Sequence, residues 1–260
     1  MIDTYTRYRM LSADLPKALD QTAQRHDVAR ETEYYLANIG EVKSIDEFLG
    51  DYRLYSYAMK ALGLEDMIYA KAFMKKVLTE GIDDRNAFAN RLADERYRTF
   101  AETFNFVRYG NATTSFSRTQ EGIAEKYVRQ SLEVSEGEEN QGVRLALYFQ
   151  RQAGTIDNAY DILADQALKK VVFTALGLPE EMGLADIDIQ AKILEEKLDI
   201  ASLAQPAALE TFIGRFTALW DLEHGPAVIE APNVMLTDPL SAGVSQDLLM
   251  SINSLKLGGA

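Results

Sequence analysis

Apolar residues along this 260-residue chain recur at helical spacing through most of its length, in runs broken by glycine, proline and short polar stretches. In "YRTFAETF", residues 97–104, the side chains of Tyr97, Phe100, Ala101 and Phe104 fall on one helical face. Leu209, Phe212, Ile213, Phe216 and Trp220 do the same further on. No stretch of convincing length alternates apolar and polar positions as a half-buried strand would. The pattern predicts helices over roughly 13–38, 44–62, 66–79, 84–93 and 95–108, then one from about 117 toward Gly154. Further helices are expected near 158–164, 166–176, 180–197 and 206–223. "SIDE", residues 44–47, is a capping-box pattern that opens one of them. Ser117 and Gln120 suggest another cap, while Gly137 and Gly142, at about 1 kcal/mol each in a helix interior, weaken the helix that follows, so 135–142 reads as a break or a solvated bend in it. Residues 1–11 are polar and aromatic without a clear period, and 109–117 reads as a loop.

The pattern also repeats. Under a shift of 114 residues, Gly40 meets Gly154, Leu49 meets Leu163, Asp51 meets Asp165 and Leu54 meets Leu168. "ALGL" at 61–64 meets "ALGL" at 175–178. With small shifts, "KKVLTEGID" (75–83) parallels "AKILEEKLD" (191–199), and "YRTFAETF" parallels "LETFIGRF" (209–216). Gly63 and Gly177 stand where a helix ends in the left-handed conformation, which glycine adopts without steric cost. The fold class expected is all-α: two tandem copies of a small multi-helix unit joined by a long helix, plus an extended C-terminal arm ending in a short helix. The expected segments are a helical lead-in (1–29), repeat 1 (30–110), a connecting loop and long helix (111–144), repeat 2 (145–225) and the arm (226–260).

That arm differs in kind. Pro226, Pro232 and Pro239 keep its first half extended, and Ser245 would cap a short helix to about Leu255. It is too apolar for a solvated segment, so its side chains need cover from the helical body, a neighbouring subunit or a partner.

Composition narrows the function. The formal net charge is −13, from 27 Lys and Arg against 40 Asp and Glu. Such a surface repels phosphate backbones and anionic lipid, so neither nucleic acid nor membrane is an expected partner. No stretch approaches the roughly 20 apolar residues of a membrane span, and no cleavable signal peptide is expected. The chain has no cysteine, which removes disulfides, thiolate catalysis and Cys-based metal sites.

The residues that carry chemistry are sparse. His26 and His224 sit in no metal-ligand spacing. Asp186, Asp188, Glu195 and Glu196 read as the solvated acidic start of a helix, and the four glutamates between 133 and 139 as a solvated run. Phosphate loops and nucleophile elbows are missing. No catalytic, cofactor-binding or metal-binding residue is assigned, and no cofactor is expected. The cluster Tyr34, Tyr35, Tyr52, Tyr55 and Tyr57 reads mainly as helix packing with hydroxyls at the rim. Candidate protein-interaction residues are Tyr52 and Tyr55 on the body, and Val234, Leu236, Leu248, Leu249 and Ile252 on the arm.

The stretch from "ETEYYLANIGEVKSIDEFLGDYRLYSYAMKALGLEDM" to "ERYRTFAETFNF", and the weaker second copy "GTIDNAYDILADQALKKVVFTALGLP", resemble the domain of unknown function twelve-seventeen. The resemblance covers about 30–225. It implies a protein encoded in alphaproteobacterial flagellar gene clusters, often in tandem copies, with no activity and no catalytic residues to carry over. The expected role is therefore a non-enzymatic, flagellum-associated structural or assembly protein acting through helical surfaces. Its expected partners are flagellar proteins or its own subunits, and its expected location is the bacterial flagellum or the cytoplasm. Two other readings are an adaptor or chaperone for a flagellar export substrate, and an enzyme or small-ligand binder with a site between the repeats. The scaffold reading expects scattered ion pairs at that groove, with no converging titratable groups.

Overall fold

The computed structural model describes residues 2–224, and among them every regular element is helical. The chain is all-α. A lead-in of α1 (Thr4–Ala13) and α2 (Leu15–Ala23) precedes the first repeat. That repeat contains α3 (His26–Asn38), α4 (Ile45–Gly50), α5 (Tyr52–Ala61), α6 (Lys71–Glu80), α7 (Glu95–Thr103) and α8 (Phe106–Tyr109). Then comes α9 (Glu121–Glu139), followed by α10 (Gln141–Gln152), α11 (Ala159–Ala164), α12 (Gln166–Leu176), α13 (Ile187–Lys197) and α14 (Pro206–His224). Residues Met1–Leu222 form one compact unit, so both repeats belong to the same body.

From α3 and from α10 the two repeats run through the same series of elements. Single 3-10 turns occupy corresponding places: Ile39–Glu41 and Ala153–Thr155, Glu65–Met67 and Glu180–Leu184, Phe88–Arg91 and Ile200–Ala204. Local chemistry explains the match. The Asp51 carboxylate accepts from the N–H groups of Arg53 and Leu54 and so starts α5; Asp165 accepts from Ala167 and Leu168 and starts α12. Both helices end in the same way. The Gly63 N–H donates to Lys60 O at 3.0 Å and the Leu64 N–H to Met59 O at 2.8 Å; Gly177 and Leu178 donate to Thr174 and Phe173 at 3.0 and 2.9 Å. This paired closure needs a left-handed residue, and the glycines have φ of +71° and +64°.

Several expected helices are shorter than the apolar period suggests. The stretch 13–38 breaks at Arg25, which is extended (φ −62°, ψ 135°) before α3. The stretch 44–62 breaks at Asp51, where the cap of α5 interrupts the helix. Asn140 (φ −153°, ψ 107°) divides the helix expected to run on toward Gly154, because its side chain caps α10 through Gly142 and Val143. Residues 84–93 hold only the turn Phe88–Arg91, and 180–197 is a turn followed by α13. At the N-terminus, Asp3 caps a helix where no period was legible. Ser117 caps nothing; α9 begins at Glu121 without a side-chain cap.

Two cores result. The first gathers Tyr35, Phe48, Leu54, Met59, Phe100 and Phe104, with Ile123 and Tyr127 supplied by α9. Phe48 stacks on Phe104 with ring centres 4.6 Å apart. The second gathers Phe149, Ile162, Val171, Leu194, Phe216 and Trp220, and receives Tyr8 from α1. Of the aromatic residues expected to close these cores, Phe100, Phe104, Phe216 and Trp220 are buried, while Phe212 is half-buried and stacked on Phe149.

Candidate functional site

The helix α9 joins the repeats, and its inner face carries charge. Glu133 is 1% exposed. Arg151 of α10 holds it with two hydrogen bonds of 2.9 Å, and Arg129, one turn before it on α9, adds a third of 2.9 Å. Arg129 also donates to Leu147 O at 2.9 Å. Three residues on, Glu136 is buried and receives Arg7 of α1 at 2.8 and 2.7 Å. The glutamate run expected to be solvated is therefore split: Glu138 and Glu139 face water, whereas Glu133 and Glu136 sit at helix seams with guanidiniums from other elements. A buried carboxylate is tolerated only with such partners.

A second polar cluster faces the same seam. The Tyr148 hydroxyl donates to the cap residue Asp165, and the Arg151 guanidinium lies 5.0 Å from the Tyr148 ring centre. Burial first, then the Asp165 charge, pushes the Tyr148 phenol well above the ordinary tyrosine range. Arg96 of α7 adds its charge nearby, held by Asp94. The seam thus gathers titratable groups where only scattered ion pairs were expected. Their geometry has a twin, however. In the first repeat, the Tyr34 hydroxyl donates at 3.0 Å to Asp51, the corresponding cap, with Arg53 3.9 Å from the ring. A tyrosine bracing the aspartate cap of the same helix in both copies is a folding device, and a phenol pushed upward is poorly matched to proton transfer near neutrality.

The tyrosines separate cleanly. Tyr35, Tyr57 and Tyr127 form a stack, with centres 4.4 and 3.8 Å apart. Their neighbours satisfy two of the hydroxyls: Tyr35 donates to Thr119 O at 2.6 Å, and Tyr57 pairs with Thr32 at 2.9 Å. Tyr52 stands at the start of α5, 62% exposed. Tyr55, expected beside it on an interaction surface, is fully buried against Phe48 and must be reassigned to the core. The reason is that α5 packs against α3, α4 and α9, and Tyr52 is its one exposed residue. Burial raises the Tyr55 phenol to about 12. The other expected interaction residues, Val234, Leu236, Leu248, Leu249 and Ile252, lie outside the described residues, as does the rest of the arm.

The open concavity lies elsewhere. A groove of about 780 Å³ runs between α1 and α14, floored by Ala207, Thr211, Gly214 and Ala218 and walled by Tyr5. Its carboxylates are already engaged within the fold: Asp3 caps α1, Asp221 accepts from the Thr4 N–H and hydroxyl, and Glu210 pairs with Arg9. Among the described residues, no three His, Asp or Glu side chains are placed to hold a metal ion. No helix there is long and apolar enough to cross a membrane.

Comparison with known proteins agrees with this outline. The family described as "Protein of unknown function (DUF1217)" matches residues 61–209, from the end of α5 to the start of α14. No curated protein matches the chain. A crystal structure of an Agrobacterium tumefaciens protein, solved by a structural genomics consortium, is similar at 47% identity, over 86% of this chain and 97% of that one, with a TM-score of 0.79.

Proposed function

The chain belongs to the DUF1217 family, and we propose that it serves as a non-enzymatic structural or assembly protein of the bacterial flagellum, acting through helical protein–protein surfaces. The observation that carries the non-enzymatic part is the disposition of its charges. The carboxylates and phenols that meet inside the body are bound to caps and seams, the Tyr–Asp pair in both repeats, while the open surface carries the groove between α1 and α14 and exposed side chains such as Tyr52. Such a surface suits a protein partner better than a reacting substrate. The flagellar setting rests on the sequence resemblance, and so does the reading of the repeat as tandem copies of one family unit.

Partners on this reading are flagellar proteins or further copies of the chain, in the flagellum or the cytoplasm. A cytosolic adaptor for an export substrate is the second reading, and the groove along α14 favours it, since its small-residue floor leaves room for a helix. A deletion strain tests the function. The proposal expects defective motility with incomplete flagella. Normal swimming with complete flagella would refute it. Deletion of the apolar segment after Gly225 should abolish flagellar association if that segment docks a partner.

A further inference from the structure

The helix α1 belongs to neither repeat, and it lies on the second, against α10 and α14. In the first repeat the helix that corresponds to α14 is α7, and its matching face carries Glu95, Arg98, Thr99 and Glu102, all exposed. On α14 these positions are Ala207, Glu210, Thr211 and Gly214, and they line the groove beside α1. The second repeat thus presents a seat for a helix where the first presents a wet, charged face.

α1 holds that seat through polar contacts more than through apolar packing. Thr4 holds Asp221 through its N–H at 2.9 Å and through its hydroxyl, and Asn140 donates to the Thr4 hydroxyl at 2.8 Å. Arg7 holds Glu136, and Arg9 pairs with Glu210. Tyr8 is the one large apolar side chain of α1 that is buried; Leu11 is half-buried, and Tyr5 and Met10 are exposed. The groove of about 780 Å³ shows that α1 and α14 do not pack shut. A single residue, Asp14 (φ −141°, ψ 59°), joins α1 to α2, and Pro16 in the first turn of α2 keeps the two from merging into one helix.

We propose that α1 is a displaceable plug in a helix-binding seat, and that the partner taking its place is an amphipathic helix carrying an arginine next to an aromatic residue, as Arg7 stands next to Tyr8. Glu136 dictates the arginine. It is 7% exposed, and among the described residues Arg7 alone donates to its carboxylate. A helix that displaced α1 without bringing a cation would leave a buried charge unpaired. Gly142 shapes the seat, since a Cβ there would fall too close to both Trp220 and the Thr4 methyl. A helix with a bulkier apolar face than α1 gains by filling the groove along α14. Until one arrives the tether favours α1, because a tethered helix acts at high effective concentration and lowers the apparent affinity of any rival. The inference rests on the reading of the chain as a body that works through helical surfaces, but not on the flagellar setting, which the deletion strain and cell fractionation test separately.

The one tryptophan of the chain, Trp220, reports on the seat, because it is buried and shares the Gly142 notch with Thr4. In the full chain, Arg7→Glu sets two carboxylates face to face and should free α1. Acrylamide quenching of Trp220 should then rise about twofold or more, with cooperative melting retained. A synthetic peptide of residues 2–14 should bind this variant saturably and restore the shielding. It should bind the wild type, whose seat is filled, at least about tenfold more weakly. The same peptide carrying Arg7→Glu should bind the variant at least about tenfold more weakly than the native peptide does. Arg7→Gln is the milder substitute where Arg7→Glu does not fold. Unchanged quenching, loss of the whole fold in both variants, a freed seat that takes up no peptide, or binding indifferent to the peptide's arginine would each overturn the proposal.

Discussion

The two repeats share caps, turns and element order, yet they are filled differently. Where the first repeat stacks Tyr35 on Tyr57 and packs Phe48 into Phe104, the second places Phe149, Val171, Ile162 and Phe216 at the matching positions. The first core is closed by Tyr127 of α9; the second takes Tyr8 from α1. The residues that set the backbone are alike in both copies: Asp51 and Asp165 start a helix, and Gly63 and Gly177 end it. Interiors tolerate exchange of apolar residues when total volume is kept. A left-handed helix end tolerates little but glycine.

Substitutions can strain this comparison, beginning with the cores. Phe100 and Phe212 correspond, but the first is fully buried and the second only half. Phe100→Ala should cost about 3–5 kcal/mol in denaturant unfolding, and Phe212→Ala clearly less; equal losses would mean that the two cores close alike. Next, Val28 of the first repeat corresponds to Gly142 of the second, where an added Cβ would lie 2.4 Å from the Trp220 ring. Gly142→Val should therefore destabilise by about 1–3 kcal/mol through overpacking, and a neutral result would show that Trp220 has room to move. Gly63→Ala and Gly177→Ala should each cost about 1–2 kcal/mol, and by the same amount. Neither added methyl meets an atom closer than 3.8 Å, so the cost is that of the backbone alone. Unequal losses would show that the two helix ends are not equivalent.

The smallest effect concerns a feature of one repeat only. Arg53 holds the Glu31 carboxyl below its ordinary 4.5, whereas the second repeat has Leu145 and Ala167 at these positions. A lowered carboxyl stabilises the fold above its unfolded value, and that contribution is lost as pH falls through the lower, folded value. Unfolding free energy measured below about pH 4.5 should decline less steeply in Glu31→Gln than in the wild type. Identical slopes would mean that the pair is already loosened by water.

The matching series of elements was legible because the signals it rests on are local: a glycine after an apolar run, an aspartate before one. Of the breaks inside long apolar periods, only the one within 135–142 left a signal, read as a break or bend. At Arg25 the helical spacing continues through the break with no glycine or proline to mark it, whereas Gly50 adjoins Asp51 and Gly137 and Gly142 flank Asn140 without fixing where the helix stops. Asp51 and Asn140 are caps whose side chains compete for backbone N–H groups, and that competition is decided by where the next helix packs. Glu133 and Glu136 escaped notice for a different reason. Apart from Arg129, one turn before Glu133, their partners are residues 18 and 129 positions away, so a run of acids looks solvated until the fold brings Arg151 and Arg7 to it. Tyr55 was misplaced because it lies on the same helical side as the exposed Tyr52, and only the packing of α3, α4 and α9 shows where α5 becomes covered.

The central claim, a protein that works by binding within the flagellum, is tested most directly by immunodetection of the chain in purified flagellar basal bodies, culture supernatant and cytosol from one culture. The account predicts enrichment in the flagellar fraction, held there through washing. A chain found only in the cytosol, in amounts unaffected by the loss of flagella, would contradict it.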